Sequence, residues 1–388
     1  MTGPDTAARL FRDTFGEEPD GVWSAPGRVN LIGEHTDYNG GLCMPIALPH
    51  RTYAALRRRD DRHLRIVSAQ GDGVVELDLD DVGPGSPQGW AAYVAGVPWS
   101  LERAGHPVGG FDVAVEGRVP LGAGLSSSAA LECAVAAALS DVFDLVLLDS
   151  PAGRVDLAAV CVEAENTVAK APTGGMDQSA SLLAQQGHAL LLDCRDFSTE
   201  QVPFDLAAHD LALLVVDTRA VHELVDGQYA ERRDSCEQAA RELGVETLRD
   251  VDVADLDAAL ERLSSDLLRR RARHIVTEIA RVEQAREALR ADDFARLGEL
   301  FLASHDSMRD DFEISVDELD TAVTSATSAG ALGARMTGGG FGGSAIALVR
   351  RESADEVRAA VEKSFADKGF RAPECFVVSA AGPAGRDL

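Results

Sequence analysis

A short polar segment near the start of the chain carries several side chains capable of chemistry. Residues 26–41 read PGRVNLIGEHTDYNGG, in which Arg28, Glu34, His35 and Asp37 stand among glycines. Carboxylates accept hydrogen bonds from hydroxyl groups and histidine can donate or accept them, so the segment is suited to a hydroxyl-rich ligand. A polar surface loop has the same composition, and the segment alone does not separate the two interpretations.

A second segment, residues 119–139, joins a glycine-rich loop to the start of a predicted helix. It reads VPLGAGLSSSAALECAVAAAL, and Gly122 and Gly124 allow the loop to turn tightly with its N–H groups facing outward. The three serines that follow supply cap and first-turn hydroxyls. The unpaired N–H groups at the positive end of the helix attract anions, and serine hydroxyls suit Mg²⁺ bound to phosphate. A capped helix without a ligand is the alternative.

The glycine-rich loop differs from two familiar nucleotide-binding motifs. A Walker A loop requires Gly-Lys, whereas the lysines of this chain, Lys170, Lys363 and Lys368, follow Ala, Glu and Asp. The span also lacks G-x-G-x-x-G with a later acid for a ribose, so a dinucleotide fold is not indicated. If the loop binds phosphate, positive potential must come from a helix N-terminus, a metal or an arginine.

Length and composition indicate a globular protein of two domains. The chain has 388 residues, of which 45% are hydrophobic and 26% charged. Its longest central aliphatic run, LALLVV, is far shorter than the ~20 residues of a membrane helix, and the N-terminal sequence lacks a secretory signal. We therefore expect a cytoplasmic protein that does not bind membranes.

Charge and cysteine usage disfavour two further classes of protein. The formal charge is −27, and the two basic stretches, residues 56–62 and 267–274, are followed or surrounded by acids, so nucleic-acid binding is not expected. The six cysteines are scattered and form no C-x-x-C pair, which argues against a disulfide framework or a zinc site.

Hydrophobic periodicity predicts the elements that must position these segments. From about residue 229 to 329 the pattern is helical, and a further helix is predicted over 354–369. Alternating or continuously apolar runs predict strands over residues 73–81, 111–117, 188–193, 211–218, 344–349 and 374–380. The predicted fold class is therefore α+β.

Three motifs together resemble those of the GHMP kinases. They are residues 26–41, PLGAGLSSSAA at 120–130 and MTGGGFGGSAIAL at 336–348, in the family's order and spacing. The first is similar to the signature of the galactokinase family and shows no departure from it. Similar segments between the motifs extend the resemblance over nearly the whole chain. One glycine motif is weak evidence, whereas three in register with the sugar-kinase signature are strong.

The resemblance implies a two-domain GHMP kinase fold. Residues 1–203 would form an N-terminal domain like domain 2 of ribosomal protein S5, and residues 204–388 a ferredoxin-like α+β domain that brings the third glycine-rich motif beside the first glycine-rich loop. The active site would lie between the domains. The implied reaction transfers the γ-phosphate of ATP to the anomeric hydroxyl of α-D-galactose, which gives α-D-galactose 1-phosphate and ADP.

The resemblance also implies roles for individual residues. Arg28 and Asp177 match the family's catalytic pair, in which arginine neutralises phosphoryl charge and aspartate accepts or orients the hydroxyl proton. Ser128 and Glu165 match its Mg²⁺ ligands. The implied sugar contacts are Glu34, His35, Asp37, Gly174 and Tyr229. The implied ATP contacts are Gly122, Gly124, Leu125, Ser126, Ser127 and Ser128.

Other interpretations remain open at this point. Without the resemblance, Asp177 is better explained as a helix cap, Arg28 as part of an ordinary ion pair and Glu165 as an exposed helical acid. The chain could also be a GHMP kinase for another small molecule, or a non-catalytic sensor of galactose and ATP. The complete GEHTDYNGG stretch weighs against another substrate. We expect D-galactose and MgATP as ligands of a monomer or weak homo-oligomer.

Overall fold

In the computed structural model, residues 3–220 and 225–388 are described, and they form three β-sheets with flanking helices. The strands are β1 (Gly21–Asn30), β2 (Leu42–Cys43), β3 (Pro45–Arg58), β4 (His63–Ser68), β5 (Val74–Asp78), β6 (Phe111–Gly117), β7 (His188–Asp193), β8 (Ser198–Pro203), β9 (Leu211–Asp217), β10 (Gly333–Thr337), β11 (Ser344–Arg350), β12 (Glu374–Val378) and β13 (Gly385–Arg386). The helices are α1 (Gly3–Phe15), α2 (Ala91–Arg103), α3 (Ser127–Val142), α4 (Pro151–Glu163), α5 (Met176–Leu183), α6 (Val225–Leu243), α7 (Leu256–Arg262), α8 (Asp266–Arg290), α9 (Phe294–Ser307), α10 (Asp317–Ser328) and α11 (Ala354–Lys368). None of the helices described is long and apolar enough to cross a membrane.

The largest sheet, of order β13-β1-β3-β6-β4-β5, supports the first two motifs. On β6, Val113 and Val115 face the core shared with α2, α3 and α4, whereas Ala114 faces the core shared with α1. This division follows from the two-residue period of a strand. Every residue of β1 is buried, which explains the apolar character of most of that strand.

Two smaller sheets complete the structure. In the sheet of order β10-β11-β9-β12, β9 and β11 are the central strands, and their runs LALLVV and SAIALV are buried. A strand with both faces buried is expected to be continuously apolar. The third sheet, β2-β7-β8, brings residues just after the first motif into contact with the middle of the chain.

The α+β class and most predicted elements are confirmed, and the structure adds strands that the sequence pattern did not predict, among them β1 and β3 of the largest sheet. The strand predicted over 73–81 ends at Asp78, because the Asp78 side chain accepts from the amide of Asp80 and caps a 3₁₀ turn. The C-terminal strand β13 returns to pair with β1. The predicted division between residues 203 and 204 falls between β8 and β9, and we retain it as a proposal.

A cluster of buried charges joins the first motif to the C-terminal elements. The guanidinium of Arg335, on β10, contacts the carboxylates of Glu34 and Glu278, and the exposed fraction of each of these residues is 1% or less. Glu278, on α8, also accepts from the amide of Gly33 at 2.9 Å and pairs with Arg281. Burial would raise the pKa of Glu278, but the charges of Arg281 and Arg335 outweigh it and lower the pKa to about 2.

Glu278→Ala is expected to lower the free energy of unfolding by about 3 kcal/mol, because it removes a partner from a buried arginine. Urea denaturation followed by circular dichroism measures the change. Glu287→Ala on the same helix is the control, since Glu287 pairs at the surface and its loss should cost less than about 1 kcal/mol. Equal effects of the two substitutions would contradict a structural role for the cluster.

Candidate active site

The glycine-rich loop leads directly into the N-terminus of α3. Gly122 and Gly124 have φ angles of 72° and 70°, which glycine adopts without strain, and Ser126 has a φ of 61°. The Ser126 hydroxyl does not cap the helix, because it donates to Oδ2 of Asp177 instead. An anion-binding helix end therefore lies beside the predicted catalytic aspartate.

The third glycine-rich motif packs against this loop. A Cβ atom at Gly338 would lie 2.9 Å from the carbonyl oxygen of Gly124, and one at Gly343 would lie 3.2 Å from that of Ala123. Ser344 donates to the same Ala123 carbonyl at 2.7 Å. Glycine allows the two backbones to approach this closely, and the expected proximity of the two loops is confirmed.

Arg28 and Asp177 form a bidentate ion pair next to the glycine-rich loop. Nε and Nη2 of Arg28 donate to the two carboxylate oxygens at 2.8 and 3.0 Å, and Nη1 donates to the Gly124 carbonyl at 2.7 Å. Arg28 lies where the pairing of β1 with β3 shifts register, an irregularity that re-aims side chains. Asp177 lies in the first turn of α5, whose positive end favours a carboxylate.

Asp37 lies against the two glycines that precede Asp177. A Cβ atom at Gly174 would be 2.2 Å from Oδ2 of Asp37, so the carboxylate occupies the space that a side chain would need. Desolvation and the neighbouring charge of Asp177 raise the pKa of Asp37 to about 6. The structure thus brings together Asp37, Gly174 and Asp177.

His35 is buried between the first and third motifs. Its ring nitrogens lie 2.7 Å from the Tyr38 hydroxyl and 3.0 Å from the Gly339 carbonyl oxygen. Burial lowers the pKa of His35 to about 4, so the ring is neutral at pH 7. Because a carbonyl can only accept, Nε2 carries the proton and Nδ1 accepts from Tyr38. Tyr229, on α6, packs on the same ring with 5.1 Å between centroids.

The Glu34 carboxylate is held by protein partners. It accepts from the Gly338 amide at 2.9 Å and pairs with Arg335. Burial raises the pKa of Glu34, and the charge of Arg335 opposes that rise. Glu34 and His35, both predicted sugar contacts, therefore lie in hydrogen bonds that join the first motif to the third.

Ser128 and Glu165, the predicted metal ligands, lie near each other, and the Ser128 hydroxyl partly opposes the rise in the pKa of Glu165. Glu165 lies on the π-helical segment Ala164–Ala169, which continues α4 and which the sequence pattern does not reveal. Desolvation and the charge of Asp177 raise the pKa of Glu165 to about 7. Within residues 3–220 and 225–388, no cluster of three or more His, Cys, Asp or Glu forms a metal cage. One hydroxyl and one carboxylate beside a phosphate site fit Mg²⁺, which takes further ligands from water and phosphate.

Two further residues support Glu165 and are not evident from the sequence. Gln178 donates through Nε2 to the carboxylates of Glu165 and Glu132. Burial and the neighbouring charge of Glu165 raise the pKa of Glu132 well above its ordinary value. Glu132 follows Ser128 by four residues and so shares its helix face. This spacing is the one sequence feature that could have pointed to Glu132. A helical glutamate is usually exposed, and only the tertiary packing shows that this one is not.

A cavity of about 340 Å³ opens beside Ser127 and Ser128. Trp90 and Tyr93 of the α2 region line one part of it, and Leu131 of α3 lines another. A largely apolar cavity adjoining an anion site is suited to a flat ring that carries phosphates.

Comparison with known proteins assigns the chain to a family. Family models match a galactokinase galactose-binding signature over residues 9–58, a GHMP kinase N-terminal domain over 92–185 and a GHMP kinase C-terminal domain over 285–367. A galactokinase of Streptomyces coelicolor is 53% identical over 380 residues, which cover 97% of both chains. The chain belongs to the galactokinase family.

Further members of the galactokinase family and its superfamily agree with this assignment. A galactokinase of Mycobacterium tuberculosis is 45% identical over 90% of this chain and 95% of its own. The crystal structure of Lactococcus lactis galactokinase complexed with galactose matches with a TM-score of 0.93 and 33% identity over 98% of both chains. A mevalonate kinase, 16% identical over 92% of this chain and 98% of its own, shares the fold at a TM-score of 0.64. The predicted GHMP kinase fold is confirmed.

The buried, neutral state of His35 leads to a pH-dependent prediction. Because its pKa in the folded protein is about 4, against an ordinary value of 6.5, the folded state binds fewer protons than the unfolded chain between these values. His35 therefore destabilises the folded state as the pH falls through that window. Nitrogen-15 NMR of histidine-labelled protein should show a neutral Nε2–H ring down to about pH 5, whereas urea-unfolded protein should titrate near the ordinary value. A charged His35 at pH 6 in the folded protein would contradict the geometry.

Proposed function

We propose that this protein transfers the γ-phosphate of ATP to the anomeric hydroxyl of α-D-galactose and releases α-D-galactose 1-phosphate and ADP. The observation that carries the proposal is the Arg28–Asp177 pair. Arg28, in the first motif, also donates to the Gly124 carbonyl of the glycine-rich loop, so the pair joins the two segments. Membership of the galactokinase family supports this reaction over one on another substrate.

The glycine-rich loop is the proposed site of the ATP phosphates. The N-terminus of α3 supplies N–H donors and a positive dipole end to a chain whose formal charge is −27. Gly122, Gly124 and Leu125 form the loop, and Ser126, Ser127 and Ser128 line its end. The adjoining cavity, which Trp90 and Tyr93 help to line, is the proposed site of the adenine ring.

Arg28 and Asp177 are the proposed catalytic groups. Arg28 and Ser126 both donate to the Asp177 carboxylate, which fixes its orientation. A sugar hydroxyl that donates to this carboxylate is aligned with the phosphorus atom, and the carboxylate can take up its proton. The permanent charge of Arg28 stabilises the ionised aspartate and the negative charge of the phosphoryl group in transfer.

The first motif is the proposed sugar site. Asp37 offers a carboxylate next to the Gly174 backbone, and Tyr229 closes the pocket over His35. Glu34 and His35 bond to Gly338 and Gly339 of the third motif, and they remain proposed sugar contacts. A pocket that hydrogen-bonds an axial hydroxyl rejects the equatorial epimer, because buried polar groups would lose their partners.

Mg²⁺ is the proposed cofactor, held by Ser128 and Glu165. A bound Mg²⁺ would neutralise charge on the ATP phosphates. Glu165 is oriented for this role by Gln178, whose amide nitrogen donates to its carboxylate. We further propose a cytoplasmic protein that acts as a monomer or weak homo-oligomer.

Galactose-dependent release of ADP is the direct test of the proposed reaction. In a coupled assay with MgATP, kcat/KM for galactose should exceed that for glucose by about a hundredfold or more. Mevalonate and homoserine, substrates of other GHMP kinases, should give no release above background. Equal turnover of galactose and glucose would contradict the galactose assignment, and binding of both ligands without ADP release would indicate a sensor.

Arg28→Ala and Asp177→Asn should each lower kcat by at least about a hundredfold, because each removes charge stabilisation or alignment at the reacting atoms. Both variants should still fold, as an unchanged far-UV circular dichroism spectrum would show, although Arg28→Ala is expected to lower the melting temperature because it breaks a buried pair. Arg103→Ala, which breaks the exposed pair with Glu163, is the control and should keep kcat within about twofold. Near-normal kcat in Asp177→Asn would exclude this aspartate from the reaction.

A further inference from the structure

A phenylalanine in the turn between β7 and β8 has an unusual conformation. The turn comprises residues 194–197, and Phe197 closes it with a φ of 58°. Glycine or asparagine normally occupies such a left-handed position, because a Cβ atom is strained there. Phe197 also exposes 37% of its surface. Since both features disfavour phenylalanine, the turn alone does not explain why this residue is present.

The Phe197 ring lies on the glycine pair that precedes the predicted catalytic aspartate. A Cβ atom at Gly175 would be 3.0 Å from Cε1 of Phe197 and 3.5 Å from its Cζ. At the neighbouring Gly174, the Asp37 carboxylate occupies the equivalent space. Asp37 thus fills the side-chain position of Gly174, and Phe197 fills that of Gly175 together with Val162, whose Cγ2 would lie 3.2 Å from the added Cβ.

The glycine pair depends on such neighbours for its conformation. Thr173, just before it, is held by Asn166 through bonds of 2.9 and 3.2 Å, and α5 begins just after it. Between these supports, Gly174 and Gly175 carry no side chains of their own and have wide backbone freedom. Because Asp177 follows Gly175 by only two residues, a shift of the pair would move the carboxylate, and small displacements of reacting groups lower rates strongly.

The turn that carries Phe197 is a firm support. The amide of Cys194 donates to the Gly41 carbonyl at 2.9 Å, which ties the turn to the first motif. Arg195 pairs with Asp250 at 2.7 Å on the other side. The ring therefore contacts the glycine pair from a position fixed relative to the proposed sugar site.

We propose that Phe197 is a positioning residue for the sugar reaction. Its ring packs on the glycine pair, holds the pair against Asp37 and so keeps Asp177 in place. The inference rests on the proposed function and adds a residue to it. Loss of the ring would loosen the sugar side of the site. The linings of the glycine-rich loop and of the cavity at Trp90 do not include Phe197, so binding of ATP should be affected much less than the reaction of the sugar.

Phe197→Gly separates the ring from the backbone, because glycine fits the left-handed turn without strain and lacks the ring. In the galactose assay, kcat/KM for galactose should fall roughly tenfold while KM for ATP stays within about twofold. The melting temperature should change little, since relief of the strained backbone offsets the lost packing of a partly exposed ring. Phe197→Tyr keeps the ring and should retain kcat/KM within about twofold of the wild-type value.

Val146→Gly is the matched control for these variants. Val146 is also an exposed apolar residue with a positive φ, 59°, and it lies beyond the C-terminal end of α3, at the opposite end of that helix from the serines. Its replacement relieves the same kind of strain and should leave kcat/KM for galactose unchanged.

Three results would overturn the positioning role. The first is an unchanged kcat/KM for galactose in Phe197→Gly. The second is a loss of kcat/KM in Phe197→Tyr equal to that in Phe197→Gly. The third is a parallel rise in KM for ATP in Phe197→Gly, accompanied by a fall in melting temperature. The last pattern would indicate a general structural role. Absence of galactose-dependent ADP release by the wild-type protein would instead overturn the proposed function, so the two failures are distinguishable.

Discussion

The buried contact of Arg335 with Glu34 and Glu278 constrains how the first motif sits against the rest of the protein. Its members come from the first motif, from α8 and from β10, which are far apart in the chain. Charges removed from water are costly unless each finds its partners, so separating these segments would leave uncompensated charge in the interior. The cluster fixes the backbone around Glu34, and with it the positions of His35 and Asp37.

Close backbone approach is the second constraint, and it explains the glycines of the site. The loop before α3 and the third motif pack with main-chain contacts that a Cβ atom would block. The glycine pair before Asp177 is filled from outside by Asp37 and Phe197. In each case the missing side chain makes room for a group from a distant part of the chain, and the glycines therefore bring the three motifs together.

The electrostatics of the site are local, because the protein as a whole is acidic. A formal charge of −27 would repel ATP, so attraction must come from local groups, among them the helix end of α3, Arg28 and the proposed Mg²⁺. Asp177, Asp37, Glu165 and Glu132 surround these groups, and desolvation raises the pKa of the last three. A raised pKa favours the uncharged form of these carboxyl groups, which lessens the negative charge near the phosphates.

The sequence by itself determined six of the strands, the helical region of the second half and the three motifs with their spacing, because these depend on short-range periodicity and on the local chemistry of glycine and serine. It did not reveal β1 and β3, which lie within the largest sheet. The family resemblance also indicated the site residues Arg28, Asp177, Ser128 and Glu165. These four residues lie close together in the structure.

Only the tertiary structure decided which partners these groups have. In the folded protein Glu34 pairs with Arg335, and the two ring nitrogens of His35 bond to Tyr38 and Gly339. By residue type alone, Glu34 and His35 would suit an open sugar pocket equally well. Glu132 is buried, although nothing in the sequence of α3 distinguishes it from an exposed helical glutamate, and the Phe197 ring packs on Gly175. Burial and close packing between distant segments leave no periodic trace in a single sequence, because they arise only when the chain has folded.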